Sequence, residues 1–257
     1  MIPLSDCVSF LDGLLATRDI VDYDQALNGL QLANSGTVTR VAAAVDFSCD
    51  SVHEAVRLGA DLLLVHHGMF WGEPRPILGP RYERLRAAIT GNLAVYASHL
   101  PLDLHARLGN NSLLARHLEL TPDSRFGRFR SIDVGVSGPT DLATEELLAR
   151  VRAFAAPLGS HVVCSPIPPR RRTRRWAVVT GAGASTDTLA QAVEHGVDTL
   201  IVGEGPHHSA VEAMDAELVV MYAGHYATET LGVQALASEI ERVFGLPWSF
   251  LHLPTGL

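Results

Sequence analysis

The chain has 257 residues, of which 47% are hydrophobic and 19% are charged, and its formal net charge is −8. This balance is typical of a folded protein and excludes both a disordered chain and one that binds nucleic acid over its whole surface. Three widely spaced cysteines exclude a disulfide framework, and the absence of lysine among the 20 basic residues excludes a Walker-type phosphate loop.

The predicted elements alternate along the first half of the chain. Helical spacing of apolar residues predicts a helix over 4–18 with Ser5 as its N-cap, followed by a loop or short strand. The next predicted elements are strand 40–47, helix 49–58, strand 61–65, helix 81–90, strand 92–99 and helix 110–120.

The second half repeats this order after a middle section. Residues 126–170 supply strand 131–138, helix 141–155 and strand 161–166. The remaining predicted elements are strand 174–180, helix 185–195, strand 198–205, helix 209–216, strand 217–225 and helix 230–244. Such alternation predicts an α/β fold with mainly parallel sheets flanked by helices.

An internal repeat relates the two halves. Residues 55–68 and 192–205 share seven identities in 14 ungapped positions. Further along, 95–103 aligns with 221–229. The repeat predicts two related α/β halves, 1–125 and 126–257, which face each other across a pseudo-two-fold axis with a metal site between them.

His66 and His67 directly follow the aliphatic run Leu62–Val65. Functional groups in parallel α/β sheets gather at the carboxyl ends of strands, and Gly68 permits a backbone turn that aims both rings at one site. The alternative is an ordinary polar strand terminus with one hydrogen-bonded histidine.

His225 and Glu229 are four positions apart, so a helical turn places imidazole and carboxylate on one face. Alone, this is an ordinary first turn of a helix capped by Thr228. The matching pair in the first half, His99 and Asp103, favours a metal site. With the adjacent histidine pair, the sequence then offers four imidazoles and two carboxylates that converge between the halves.

This donor set suits Zn²⁺, Fe²⁺, Mn²⁺ or Ni²⁺ and, without thiolates, argues against a structural zinc site. Six donors exceed one tetrahedral site, and a carboxylate can bridge two ions about 3.5–4 Å apart, as in two-metal hydrolases. Such an ion pair makes hydroxide available near neutral pH.

Three further strand-end positions are candidates. Asp46 either supports a ligating histidine or caps the helix that begins near Ser48. Glu204 aligns with His67 and, with His207 and His208, either contacts substrate or begins a helix.

Two other motifs favour simpler interpretations. Residues 179–185 lack the full glycine pattern of a nucleotide loop and predict a strand-to-helix turn. The RRRTRR segment, 170–175, predicts an exposed turn, so nucleic acid is not expected as a partner.

The chain resembles the Nif-three-like dinuclear metal centre proteins, also described as GTP cyclohydrolase I type 2 homologs. The resemblance covers nearly the whole chain, in the short form without an inserted domain. It rests on these ordered segments: NGLQ (28–31), AAVDFS (43–48), DLLLVHHGMFWG (61–72), SHLPLD (98–103), VVTGAG (178–183), GEGPHHSAVEA (203–213) and AGHYATETLGVQAL (223–236).

The resemblance implies two divalent ions per subunit and a toroidal hexamer, a trimer of dimers with metal sites that face an interior cavity. The implied ligands are His66, His67, Asp103, His225 and Glu229, with Glu229 as the bridge. His99 is assigned to the support of a ligand or to proton transfer.

Together, these expectations predict a metal-dependent hydrolase in which metal-activated water attacks a small-molecule substrate. The cyclohydrolase name implies a purine nucleotide or a pterin-like ring as substrate. The alternative is a non-catalytic scaffold, metal carrier or regulatory protein with the same ligands. A third hypothesis is DNA binding through the ring cavity and the RRRTRR turn. No stretch reaches about 18 apolar residues and no secretion signal is present, so we expect a cytoplasmic protein that does not enter membranes.

Overall fold

The computed structural model describes residues 1–71 and 75–257, which form two compact units. Unit 1 comprises Met1–Leu102 and Gly232–Leu253, and unit 2 comprises Asp103–Leu231 and Pro254–Leu257. Gly72, the last residue of the DLLLVHHGMFWG segment, lies outside the described residues. The division into two repeated halves, 1–125 and 126–257, stays a prediction. The compact units are defined by contacts between residues, and they do not test where a sequence repeat begins or ends.

Strands and helices alternate through most of the described chain. The strands are β1 (Ile2–Pro3), β2 (Gly29–Leu32), β3 (Thr37–Val38), β4 (Val41–Asp46), β5 (Leu62–His67), β6 (Ala94–Ala97), β7 (Ser124–Phe129), β8 (Ile132–Ala143), β9 (Val163–Cys164), β10 (Arg172–Val179), β11 (Thr199–Val202), β12 (Val219–Tyr222) and β13 (Trp248–Phe250). The helices are α1 (Leu4–Leu15), α2 (Cys49–Arg57), α3 (Pro80–Thr90), α4 (Leu100–Asp103), α5 (Asn110–His117), α6 (Thr144–Ala155), α7 (Thr186–Glu194), α8 (His207–Asp215) and α9 (His225–Phe244), with a 3-10 turn at Ala156–Leu158.

The main sheet of unit 1 has the order β13-β4-β5-β6-β2. Strands β13, β4, β5 and β6 are parallel, and β2 adds to β6 in the antiparallel direction. The run Leu62–Val65 in β5 is at most 2% exposed. Burial on both faces explains why this strand is continuously aliphatic, and each such side chain contributes roughly 1.5–3 kcal/mol.

Two helix starts in unit 1 differ in their capping. Ser48 caps α2 and forms a capping box with Ser51, which leaves the Asp46 side chain available for another contact. The predicted cap of the first helix is wrong, because Pro3 occupies the N-cap position and Ser5 lies inside α1. Proline is compatible with this position because it has no backbone N–H to be satisfied.

The sheet of unit 2 has the order β7-β8-β10-β11-β12-β9. Its centre, β10-β11-β12, is parallel, whereas β7, β8 and β9 are added by antiparallel pairing. Both units therefore contain a parallel β-α-β-α-β core, and the α/β fold class is confirmed. Antiparallel strands extend both cores.

The strand registers show which positions of the two cores correspond. Val41 pairs with Leu62 in unit 1, and Trp176 pairs with Thr199 in unit 2. In the third strand, Val95 pairs with Leu63 and Val220 with Leu200, so Val95 corresponds to Val220. The sequence alignment of 95–103 with 221–229 is thus shifted by one residue within this strand, and a shift of one moves side chains to the opposite face.

Candidate metal centre

Three histidines of unit 1, His66, His67 and His99, lie together at the ends of β5 and β6. Each offers a ring nitrogen, and these nitrogens lie within 4.8 Å of one another. The ring centroids of His66 and His67 are 4.9 Å apart, and those of His66 and His99 are also 4.9 Å apart. Strand β5 continues through both adjacent histidines rather than ending at Val65.

Each of these imidazoles is held through its Nδ1 atom. His66 Nδ1 donates to the carbonyl oxygen of Ser98 at 2.9 Å. His67 Nδ1 lies 2.9 Å from Asp46 Oδ1, and His99 Nδ1 lies 2.9 Å from Asp22 Oδ1. A neutral imidazole that donates from Nδ1 keeps its lone pair on Nε2, which is the arrangement of metal-ligating histidines.

Asp22 was missed by the sequence analysis. Besides His99, it accepts hydrogen bonds from Asn28 Nδ2 at 2.8 Å and from the backbone N–H of Leu100 at 3.1 Å. Burial raises the pKa of Asp22, but the hydrogen bond and charge of His99 and the bond from Asn28 outweigh it, so the pKa is lowered. Asp22 lies in an irregular loop 77 residues from His99, so no local pattern indicated it.

In unit 2, His225 and Glu229 occupy the first turn of α9. His225 Nε2 lies 3.1 Å from Glu229 Oε2, and His225 Nδ1 lies 2.7 Å from Glu204 Oε1. Burial lowers the pKa of His225, but the hydrogen bonds and charges of Glu229 and Glu204 outweigh it and raise the pKa to about 9. A cation, whether a proton or a metal ion, is therefore strongly favoured at this histidine.

Asp103 adds a second buried carboxylate to unit 2. It is 5% exposed and Glu229 is 2% exposed, and oxygens of the two lie within 4.8 Å of one another. Asn110 Nδ2 donates to Asp103 Oδ1 at 2.8 Å. Two buried carboxylates this close repel each other unless a cation lies beside them, so this pair fits a divalent ion.

Gly181 makes room for Glu229. Its φ is +64°, and a Cβ atom there would lie 2.2 Å from Glu229 Oε1 and 3.3 Å from His225 Nε2. Its N–H donates to Thr228 Oγ1 at 3.1 Å, which fixes the loop against α9. The prediction of a strand-to-helix turn at 179–185 described the local conformation but missed this contact.

The remaining candidates lie at different places. Asp46 and Glu204 contact His67 and His225 as described, whereas His207 and His208 are exposed in the first turn of α8. In the RRRTRR segment, Arg172 and Arg174 pair with Asp141, and Arg175 pairs with Asp123.

The donors fit a transition-metal ion. Imidazole nitrogens outnumber the carboxylates among the clustered groups, which suits Zn²⁺, Fe²⁺, Mn²⁺ or Ni²⁺ better than the all-oxygen sites of Ca²⁺ or Mg²⁺. Among the helices in the described part of the chain, none combines the length and the hydrophobicity needed to cross a bilayer.

Curated relatives match almost the full chain. A GTP cyclohydrolase 1 type 2 homolog from Deinococcus radiodurans is 43% identical over 237 residues, which cover 91% of this chain and 88% of that protein. A protein of the same name from Halobacterium salinarum is 42% identical and covers 93% of this chain and 94% of its own length.

Solved structures match equally far. A protein from Thermus thermophilus is 37% identical, with a TM-score of 0.87 and full coverage of both chains. The protein ybgI, described as of unknown function, is 31% identical with a TM-score of 0.89, again over both full chains. The model of the Duf34/NIF3 (NGG1p interacting factor 3) family matches residues 2–253, and the chain belongs to this family.

Proposed function

We propose that this protein binds two divalent metal ions through His66, His67, Asp103, His225 and Glu229, with Glu229 as the bridge. The observation that carries the proposal is the fixation of the three histidines of this set through Nδ1, by Ser98, Asp46 and Glu204 respectively. A core histidine can form its hydrogen bond through either ring nitrogen, whereas a histidine that binds a metal ion through Nε2 carries its proton on Nδ1 and donates it to an acceptor.

The ligand types found in the two units support the proposal that residues of both bind the metal ions. Unit 1 contributes imidazoles, and unit 2 contributes two carboxylates and one imidazole. Neutral imidazoles alone would leave two divalent ions with most of their charge uncompensated. The two carboxylates of unit 2 compensate two of the four positive charges, and Asp103 follows His99 by only four residues along the chain.

We extend the proposal to a metal-dependent hydrolase that acts on a small molecule. When bound, two such ions lower the pKa of a bound water and supply hydroxide near neutral pH. His99 is the residue that moves the proton, and Asp22 orients its ring through the contact with Nδ1. A purine nucleotide or pterin-like substrate is suggested by the name that the curated relatives carry.

Metal analysis tests the binding part of this proposal. Purified protein should contain about two ions of Zn, Fe, Mn or Ni per chain, and the His66→Ala and His225→Ala variants should contain fewer. His208→Ala is the matched control, because this histidine is exposed on α8 and should leave the metal content unchanged. If wild-type protein binds no metal even after reconstitution, the proposal fails.

Turnover tests the hydrolase part. Metal-loaded wild type and Glu229→Gln should be compared on nucleotide, pterin and phosphoester panels, and we expect activity that is lost in the variant. No turnover together with tight metal retention would assign the protein to the alternative role of metal carrier, scaffold or regulatory protein.

The proposal also includes a hexameric assembly and a cytoplasmic location. The family resemblance supports a toroidal hexamer, a trimer of dimers, for which light scattering should give about six times the chain mass of 27.6 kDa. A cytoplasmic location is supported by three cysteines, all of which are free thiols.

A further inference from the structure

Two large aromatic side chains of unit 1 are half exposed beside its histidines. Tyr23 and Trp71 are each 46% exposed, and their ring centroids are 6.0 Å apart. The Trp71 ring meets the edge of the His99 ring at 4.8 Å and that of His67 at 5.5 Å. The Tyr23 ring lies 5.8 Å from that of His99.

The two rings form an open corner rather than a slot. Their planes are inclined by 59°, whereas a ring sandwiched between two others needs parallel faces about 7 Å apart, twice an ordinary carbon–carbon contact. A planar ligand can therefore stack on one exposed face and meet the other ring at its edge, and both are favourable aromatic geometries.

The corner is fixed in position. The backbone N–H of Tyr23 donates to Asp22 Oδ1 at 2.7 Å, and the same oxygen accepts from His99 Nδ1 at 2.9 Å. Trp71 is held by its contacts with two imidazoles that are themselves anchored. A ligand ring would thus meet a preformed surface, which reduces the entropy lost on binding.

The neighbouring Phe70 provides a contrast. It is 47% exposed but lines an apolar cleft with Phe47, Met69 and Leu85. Trp71 and Tyr23 instead adjoin imidazoles and a buried carboxylate, so a ligand there needs an aromatic face together with polar edges. Nitrogen heterocycles such as purines and pterins have both properties, and aliphatic side chains of a protein partner lack them.

We infer that Trp71 and Tyr23 bind a planar nitrogen heterocycle by stacking, which positions the ring beside the histidines of unit 1. Insofar as this ring belongs to the substrate, the inference rests on the proposed function. The aromatic corner itself requires no metal ion.

Ring binding can be measured without turnover. Guanosine and biopterin, which carry no phosphate, should be titrated by saturation-transfer NMR against zinc-loaded and against metal-free protein, with ribose as a control that has no aromatic ring. We expect both heterocycles to bind and ribose not to bind. Trp71→Ala should weaken binding roughly 10-fold, the scale of one lost base–aromatic stack, and Tyr23→Ala should weaken it less.

Three comparisons make the result decisive. Trp71→Phe should retain most of the affinity, Trp71→Leu should lose it, and Phe70→Ala should leave it unchanged. Because Phe and Leu both fill the site with apolar atoms, the pair separates stacking from a loss of folding. Equal affinity in wild type, Trp71→Leu and Tyr23→Ala would overturn the inference.

The outcomes also separate this inference from the proposed function. Two bound ions without any heterocycle binding would refute the aromatic corner and leave the metal centre standing. Heterocycle binding that depends on Trp71, in a protein that never binds metal, would support the corner and refute the metal centre.

Discussion

At the end of the second parallel strand, unit 1 has His66 and His67, and unit 2 has Gly203 and Glu204 at the corresponding positions. At the end of the first parallel strand, Asp46 of unit 1 corresponds to Gly181 of unit 2. Unit 1 thus fills its strand ends with imidazoles and the acid that supports one of them. Unit 2 has glycine at two of these three positions and an acid, Glu204, at the third. A larger residue does not fit at Gly203, because a Cβ atom there would lie 2.8 Å from the Cα atom of His225.

In both units a histidine follows the third parallel strand, but the number of residues between strand and histidine differs. His99 follows β6 by two residues, and His225 follows β12 by three. The extra residue in unit 2 is Gly224, whose φ of +97° only glycine adopts readily. The comparison teaches that the same β-α-β-α-β core can supply different ligand types. Glycines at the strand ends leave space for side chains from neighbouring elements, and larger residues at the same positions supply ligands themselves.

The largest effect is expected from adding a side chain at one of these glycine positions. Gly181→Ala should lower metal affinity more than about 100-fold, beyond the effect of losing an outer hydrogen-bond partner, because the new Cβ atom displaces Glu229 itself. Isothermal titration with Zn²⁺ measures this.

Gly196→Ala is the matched control for that variant. Gly196 has a φ of +65°, close to the +64° of Gly181, but within the described residues no atom beyond its chain neighbours lies within 4 Å of a Cβ built there. Both variants should lose about 1–2 kcal/mol of stability from the left-handed backbone. Equal metal affinity in the two variants would show that the space at Gly181 has no role in metal binding.

A smaller effect is expected from removing the acids that hold the histidines. Asp46→Ala removes the carboxylate that contacts His67 Nδ1, and Glu204→Ala removes the one that contacts His225 Nδ1. Each should weaken metal binding about 10- to 100-fold, as is typical for such partners. The exposed Asp50 in α2 gives a control in Asp50→Ala. If only one of the two substitutions weakens metal binding, the acids of the two units do not hold their histidines in equivalent ways.

Stability should distinguish Asp22 from Glu204. The side chain of Asp22 is 5% exposed and accepts several hydrogen bonds, whereas that of Glu204 is 40% exposed. Asp22→Ala should therefore reduce the free energy of unfolding by about 1–3 kcal/mol, since it leaves buried donors unsatisfied. Glu204→Ala should cost less than about 1 kcal/mol. Urea denaturation of the metal-free protein measures both losses. A larger loss in Glu204→Ala than in Asp22→Ala would contradict this prediction.

The smallest effect concerns the thiols. Burial raises the pKa of Cys7 in unit 1 and of Cys164 in unit 2 to about 11, from 9.0. Because the folded pKa exceeds the unfolded one, these thiols leave stability unchanged below pH 9 and reduce it as the pH rises through 11. At pH 8, iodoacetamide should alkylate Cys49 first. Peptide mapping in which Cys7 reacts as fast as Cys49 would contradict this.

The alternating elements and their strand-end residues could be predicted from the sequence, because aliphatic runs and helical spacing are local signals. Two edge strands could not. In β7, only Phe126 and Gly127 of the six residues are buried, and β13 has three residues. The short apolar pattern of each is too weak to distinguish a strand from a loop.

The site shows a similar division. His66 and His67 end a strand, and His99 and His225 each follow one. Asp103 and Glu229 come four residues after those two histidines, and all six residues were predicted from these positions. Asp22 and Gly181 were missed because their roles depend on contacts over long chain separations, 77 residues for Asp22. The repeat alignment also misled within β6, since the shared tyrosines, Tyr96 and Tyr222, belong to opposite faces of their sheets.

Strand β13 has a consequence for synthesis of the chain. It forms an edge of the unit 1 sheet by parallel pairing with β4, although more than 200 residues separate Phe250 from Ala43. As the ribosome releases the chain from its N-terminus, β4, β5 and β6 emerge long before their last partner. The sheet that carries His66 and His67 can therefore be completed only after β13, more than 200 residues beyond β4, has been made.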